Sequence, residues 1–153
     1  MVQALPEPEL TIDQKAALAR SVTQFNRGRY FECHETLEEM WLGLRGPSRD
    51  FFQGLIQVSV GFLHLDRGNR VGALRTFTRA MGRFERYPPR YLGFDLAAER
   101  ARLQAVLDAL ADEDTALPGP PPIWRFDDLP AEERSAPASA GPPEPGSTGP
   151  VLH

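Results

Sequence analysis

The sequence predicts an all-α fold: a compact bundle of five helices, arranged as two stacked helical hairpins plus a capping helix, and trailed by a disordered Pro-rich C-terminal tail. Three observations point there. Apolar residues recur at helical spacing in five successive segments, glycine or proline punctuates the segments, and no stretch makes a convincing strand.

The first helix begins after Thr11, which forms a capping-box pair with Gln14, and carries Leu18, Val22 and Phe25 on one face until Gly28 ends it. A second is expected from Tyr30 to Arg45, closed by Gly46-Pro47, and a third from Ser48, read as its N-cap, to Arg67 before Gly68. The fourth starts at Asn69 and places Ala73, Phe77, Ala80, Met81 and Phe84 together before the Pro88-Pro89 stop. Asp95 caps the fifth, whose apolar face is Leu96, Leu103, Val106, Leu107 and Leu110. The chain thus divides into a flexible N-terminus (1–9), a helical domain (10–111), an extended segment (112–130) and a disordered Pro-rich tail (131–153). Ten of the fifteen prolines fall after Thr115, a composition that cannot bury enough surface to offset its ordering entropy. Only "PPIWRFDDL" there offers anchors, Ile123, Trp124, Phe126 and Leu129, with which to fold back on the bundle.

Sliding the chain by forty residues superimposes Gly28 on Gly68, Cys33 on Ala73, Leu37 on Phe77 and Met40 on Ala80. A glycine followed by a helix reading small, then large, then apolar looks like the second helix of a tetratricopeptide repeat, where the small residue admits a close neighbour. Two such hairpins are fewer than a solenoid normally needs, so a closed bundle is expected.

With 153 residues and 41% hydrophobic content the chain suits one domain. A formal charge of -4 provides no basic footprint for a nucleic-acid backbone. The longest apolar run, Phe51 to Leu65, is interrupted by Gln53, Gln57 and His64, so no membrane span is expected. One cysteine, Cys33, and no leader-like start suggest a cytoplasmic protein. Sixteen of the seventeen basic residues are arginine, spread along the chain with no cluster visible.

The stretch "YFECHETLEEMW" raises the chemical question, because its His-Glu-x-x-Glu lies one residue from a zinc-protease pattern. At about 100° per residue, His34 shares the buried face of its helix with Tyr30, Cys33, Leu37, Met40 and Trp41, while Glu38 lies at the edge of that face and Glu35 points away. The zinc-protease reading lacks its second histidine and its base. Cys33 and His34 diverge on the helix and do not make a nucleophile pair. Gln53, Gln57 and His64 form a polar stripe on the third helix, and an antiparallel turn would bring it to face His34 and Glu38. The candidate pocket is therefore His34, Glu38, Gln53, Gln57 and His64, with Tyr30 and Trp41 beside it. His34, Glu38 and His64 are the candidate ligands for a divalent metal. Two readings stand: a polar cluster that fixes helix register, in a module binding a peptide, a protein or a second copy; or a site for a small ligand or metal. No catalytic residue is assigned, and an enzyme is neither predicted nor excluded. Gly46 and Gly68, each beside a helix start and arginines, are read as helix punctuation ahead of anion loops.

"FNRGRYFECHETLEEMW", "FFQGLIQVSVGFLHLDRGNRVGALRTFTRA" and "YPPRYLGFD" together resemble the domain-of-unknown-function family 309, small helical proteins of bacteria, archaea and plastids. The resemblance covers about Phe25 to Asp95. It carries over Phe31, Glu32, His34, Glu35, Glu38 and Trp41 from the first segment. From the second it carries over Gln53, Gly54, Gln57, His64, Gly68, Asn69, Gly72 and Ala73. It implies an all-helical bundle and no particular reaction, and the Pro-rich tail lies outside it.

Overall fold

Five helices follow one another in the computed structural model, which describes residues 5–117 and 121–127: α1 (Ile12–Asn26), α2 (Tyr30–Leu42), α3 (Ser48–Asp66), α4 (Arg70–Phe84) and α5 (Leu96–Leu110). The expected disordered tail, 131–153, and the anchor Leu129 lie outside the described residues. Each helix packs against its neighbour in sequence, and α3 is held between α2 and α4.

The cap residues act as their chemistry requires. Thr11 and Gln14 exchange both capping-box hydrogen bonds at 2.9 and 3.1 Å. Asn69 and Asp95 accept from Gly72 N and Ala98 N at 2.9 and 3.0 Å, starting α4 and α5. Ser48 departs from expectation. Pro47 occupies the N-cap position and Ser48 is the first helical residue, its hydroxyl buried without a hydrogen-bond partner in the structure. α2 also stops three residues short of Arg45, because Gly43 and Leu44 close its last turn onto Met40 and Trp41.

The forty-residue repeat reappears in the backbone. Gly28 and Gly68 both take the left-handed region, at φ 77° and 72°, where a side chain would be strained. Around them Arg29 N donates to Gln24 O and Asn69 N to His64 O, each at 2.8 Å. The same turn therefore closes α1 onto α2 and α3 onto α4.

α3 is buried nearly all round, as its apolar composition demands. Against α2 it sets Phe62 on Tyr30 with ring centroids 5.5 Å apart. Against α4 the approach is closer: the Phe84 and Phe77 rings lie directly over Gly54 and Gly61, where no side chain intervenes. Phe51 anchors the far end among Phe52, Phe84, Tyr87 and Tyr91, every one of them at or near full burial. Each such phenylalanine contributes about 1.5–3 kcal/mol by leaving water.

One small sheet was not anticipated. β1 (Arg90–Tyr91) and β2 (Phe94–Asp95) pair antiparallel across Leu92-Gly93, both at positive φ (53° and 73°), the two-residue turn that matches strand twist. Strands of two residues are too short to register as alternation in a sequence. Phe94 also bridges to Phe126, so the described part of the C-terminal segment runs as a strap beside this hairpin. Trp124 and Phe126 of the strap are buried, whereas Ile123 and Arg125 are exposed. Residues 5–9, expected within a flexible N-terminus, lie against the bundle: Tyr91 donates its hydroxyl to Pro6 O at 2.7 Å and Leu92 N donates to Glu7 at 2.9 Å.

Candidate functional site

The seven residues singled out by the sequence occupy five places. His34 is buried in α2, and its Nδ1 donates to Phe31 O at 2.7 Å, fixing the ring while its edge meets the Phe31 ring. Glu38, one turn along, is half-buried. Tyr30 belongs to the aromatic core against Phe25 and Phe62; burial, reinforced by Asp66, pushes its hydroxyl up to about 12. His64 sits at the α3–α4 turn, where its Nδ1 lies 3.2 Å from the Asn69 side-chain amide. It corresponds in the repeat to Gln24, which accepts from Thr36 in the first hairpin. Burial, and then the neighbouring Arg67, hold its imidazole below the ordinary range.

The three candidate metal ligands are not brought together by this placement. Among the described residues no three histidine, cysteine, aspartate or glutamate side chains stand close enough together to hold a metal ion. His34, Glu38 and His64 do not form such a set, and His64 has Asn69 of the α3–α4 turn as its neighbour. The amide stripe also divides. Gln57 is buried and accepts from Arg83 Nε at 3.0 Å, so it is tied to α4, where its position on the polar stripe had suggested His34 as its neighbour.

Gln53 and Trp41 do meet, in a cleft of about 740 Å³ between the end of α2, the start of α3 and the end of α4. Its charged lining comes from helix ends. Arg49, in the first turn of α3, reaches back to the end of α2 and donates to Trp41 O and Leu44 O at 3.0 and 3.1 Å. Its guanidinium lies 3.7 Å over the Trp41 ring, and Trp41 Nε1 donates to Arg49 O at 3.1 Å. Across the cleft Asp50 receives Arg83 on one oxygen and Arg86 on the other, the latter at 2.8 Å. Tyr87 closes the floor by donating to Pro47 O, and burial raises its hydroxyl above the usual phenol range. Three guanidinium groups and one carboxylate thus line the cleft, an excess of positive charge on a chain whose formal charge is -4.

Asp50, Arg83, Arg86 and Tyr87 were not among the candidates that the sequence suggests. Arg83 stands in the last turn of α4 and Arg86 in the turn that follows it, and nothing local shows that the start of α3 lies opposite. The expectation that the arginines form no cluster is corrected by this packing.

A second polar constellation joins α1, α5 and the strap. Asn26 uses its whole carboxamide on Trp124: Nδ2 donates to Trp124 O at 3.0 Å, and Oδ1 accepts from Trp124 N at 2.7 Å. The indole lies flat on Phe25, centroids 3.8 Å apart, and its Nε1 donates to Glu99 at 3.2 Å. Glu99 is buried and pairs with Arg102. Burial raises its carboxyl above the ordinary range, while Arg102 and the indole pull the other way.

An all-helical bundle of repeated hairpins, with an open charged cleft at one end, defines the class of protein. Residues 18–76 match the model of the family described as Domain of unknown function (DUF309), which supports the family the sequence resembles. That stretch runs from α1 into the middle of α4, so it takes in Trp41, Arg49, Asp50 and Gln53 but not Arg83, Arg86 or the strap. Curated proteins give no match to the chain. The family carries no assigned activity, and among the described residues no helix is long and apolar enough to cross a membrane.

Proposed function

We propose that this protein binds a small organic anion, bearing a carboxylate or phosphate, in the cleft between Trp41, Asp50 and Arg86. The observation that carries this reading is the surplus of guanidinium over carboxylate in an open cavity. Arg86 is the most exposed of the three arginines, 69% against 33% for Arg83, and can turn from Asp50 to a ligand at small cost. The cavity volume falls within the range of small-molecule sites, with an aromatic wall and a few convergent polar groups. Gln53 adds a neutral donor and acceptor to the same wall. His34, buried, and Glu38, half-buried, act in this reading as polar groups that set the register of α2. The lone cysteine, kept as a buried free thiol, supports a cytoplasmic setting.

The test is a melting and calorimetry panel of phosphate, pyrophosphate and citrate at low ionic strength. A ligand at about a hundred times its Kd should stabilise the fold by about 2.7 kcal/mol. Arg86→Ala should weaken binding at least about tenfold, as loss of a charge-assisted hydrogen bond requires. Asp50→Asn, which removes the competing carboxylate, should strengthen it. An unchanged melting temperature across the panel, in both the native chain and Asp50→Asn, would sink the proposal.

A further inference from the structure

The strap is held as a docked peptide is held. Its side chains alternate, Trp124 and Phe126 inward and Ile123 and Arg125 outward, as in a segment added to a sheet edge. Main-chain recognition comes from Asn26, which satisfies the N–H and C=O of one residue, and from Gly93 O, which accepts from Asp127 N at 2.9 Å. Side-chain recognition has three sources. Phe25 stacks on the indole, Glu99 reads the indole N–H, and Phe94 stacks on Phe126 at 4.5 Å and 8°. A carboxamide paired to a main-chain amide is indifferent to sequence, whereas a buried carboxylate facing an indole N–H selects tryptophan. The slot therefore has both parts of a peptide-binding site, backbone hydrogen bonds for affinity and pockets on alternate residues for specificity.

We infer that the slot formed by Phe25, Asn26, Phe94 and Glu99 is a recognition site for a Trp-x-Phe segment, filled here by the chain's own strap and able to take the same strap from a second copy. The occupant is fixed by what the slot already fits. These hydrogen bonds and ring stackings all join the strap to α1, α5 or the β-hairpin, so a strap from another molecule makes the same set. Residues 111–120 link α5 to the strap, and ten residues reach at most about 35 Å, enough to hand the segment to an adjacent molecule. Exchange of an identical element costs little, because the interactions broken within one molecule re-form between two. The tether gives the chain's own strap an effective concentration in the millimolar range, so dilute protein keeps it at home.

Two full-length variants separate the halves of the interaction. Trp124→Ala keeps the slot and spoils the strap; Asn26→Ala keeps the strap and spoils the slot. Mixed at high concentration, they should form a one-to-one dimer by light scattering, while each alone stays monomeric. A second measurement needs neither variant to fold. The synthetic peptide Pro-Pro-Ile-Trp-Arg-Phe-Asp, added unlabelled in millimolar excess to the isotope-labelled native chain, should saturably shift the indole N–H resonance of the chain's own Trp124 as its strap leaves Phe25 and Glu99. Its Trp→Ala version should bind at least about 30-fold more weakly, as for a central aromatic anchor. If either variant fails to fold, the peptide experiment decides. A Trp124 indole resonance unmoved by the peptide would overturn the inference, as would two well-folded variants that remain separate monomers.

Discussion

Gly61→Ala offers a measurable test of the α3–α4 seam. A Cβ at this position would stand 2.6 Å from Phe77 Cδ1 and 2.7 Å from Cζ, and closer still to Cε1. Ordinary contact begins near 3.4 Å, so the ring would have to retreat by roughly 1 Å to clear Cε1. Phe77 is fully buried and held edge-on by Phe62 at 4.9 Å, which leaves it little room to move. Overpacking of this kind costs about 1–3 kcal/mol, against a helix-propensity gain of about 1 kcal/mol for replacing glycine by alanine. Gly82 supplies the control: it is exposed on α4 and a Cβ there meets nothing within 4 Å. Gly82→Ala should therefore stabilise by about 1 kcal/mol, and the gap between the two variants isolates the steric term. Thermal melts should separate them by at least about 3 °C for a domain of this size. Adding Phe77→Leu should shrink the penalty of Gly61→Ala, since the two sites touch directly. Equal rises in melting temperature for Gly61→Ala and Gly82→Ala would refute the close approach.

Two titrating groups give further expectations. The folded chain holds the His64 proton less readily than the unfolded chain does. Stability from the neutral ring is therefore complete above about 6.5 and is lost as pH falls from there through the lowered folded value. Urea melts between pH 7 and 5 should show this slope, and His64→Gln should flatten it; an identical slope in the variant would assign the effect elsewhere. Burial drives the Cys33 thiol far up, with a hydrogen bond to Ser59 pulling the other way. A disulfide reagent at pH 8 should label Cys33 at least about a hundredfold more slowly in native buffer than in denaturant. Similar rates in the two conditions would contradict its burial.

Local signals were legible where one residue acts on its own helix. Thr11, Asn69 and Asp95 could be read as caps because capping is an interaction within one turn, and Gly28 and Gly68 because only glycine suits the turns they make. His34 could be placed on the inner face of α2 from spacing alone. The partner of Gln57 could not. α3 is apolar nearly all round, so periodicity gives the direction of its polar stripe but not which neighbour meets it, and Arg83 of α4 does. The arginine cleft was hidden for the same reason, since Arg49 opens α3 and Arg86 follows the end of α4. Asn26 and Glu99 did leave a trace. Leu18, Val22 and Asn26 recur every four residues, and Glu99 stands between Leu96 and Leu103 on the apolar face of α5. A polar residue at such a position demands a partner, but the strap that supplies it is 98 residues from Asn26 and 25 from Glu99.

The Asn26–Trp124 clasp also has a kinetic consequence. Hairpins between consecutive helices form from nearby parts of the chain, whereas the clasp closes a circuit of almost the whole described length and pays its loop entropy last. Substitutions in Trp124 or Phe126 should therefore leave the refolding rate nearly unchanged and accelerate unfolding, as for interactions absent from the transition state. Persistence of the folded state over hours or days would then be governed by its final seven described residues, more than by the longer helices that precede them.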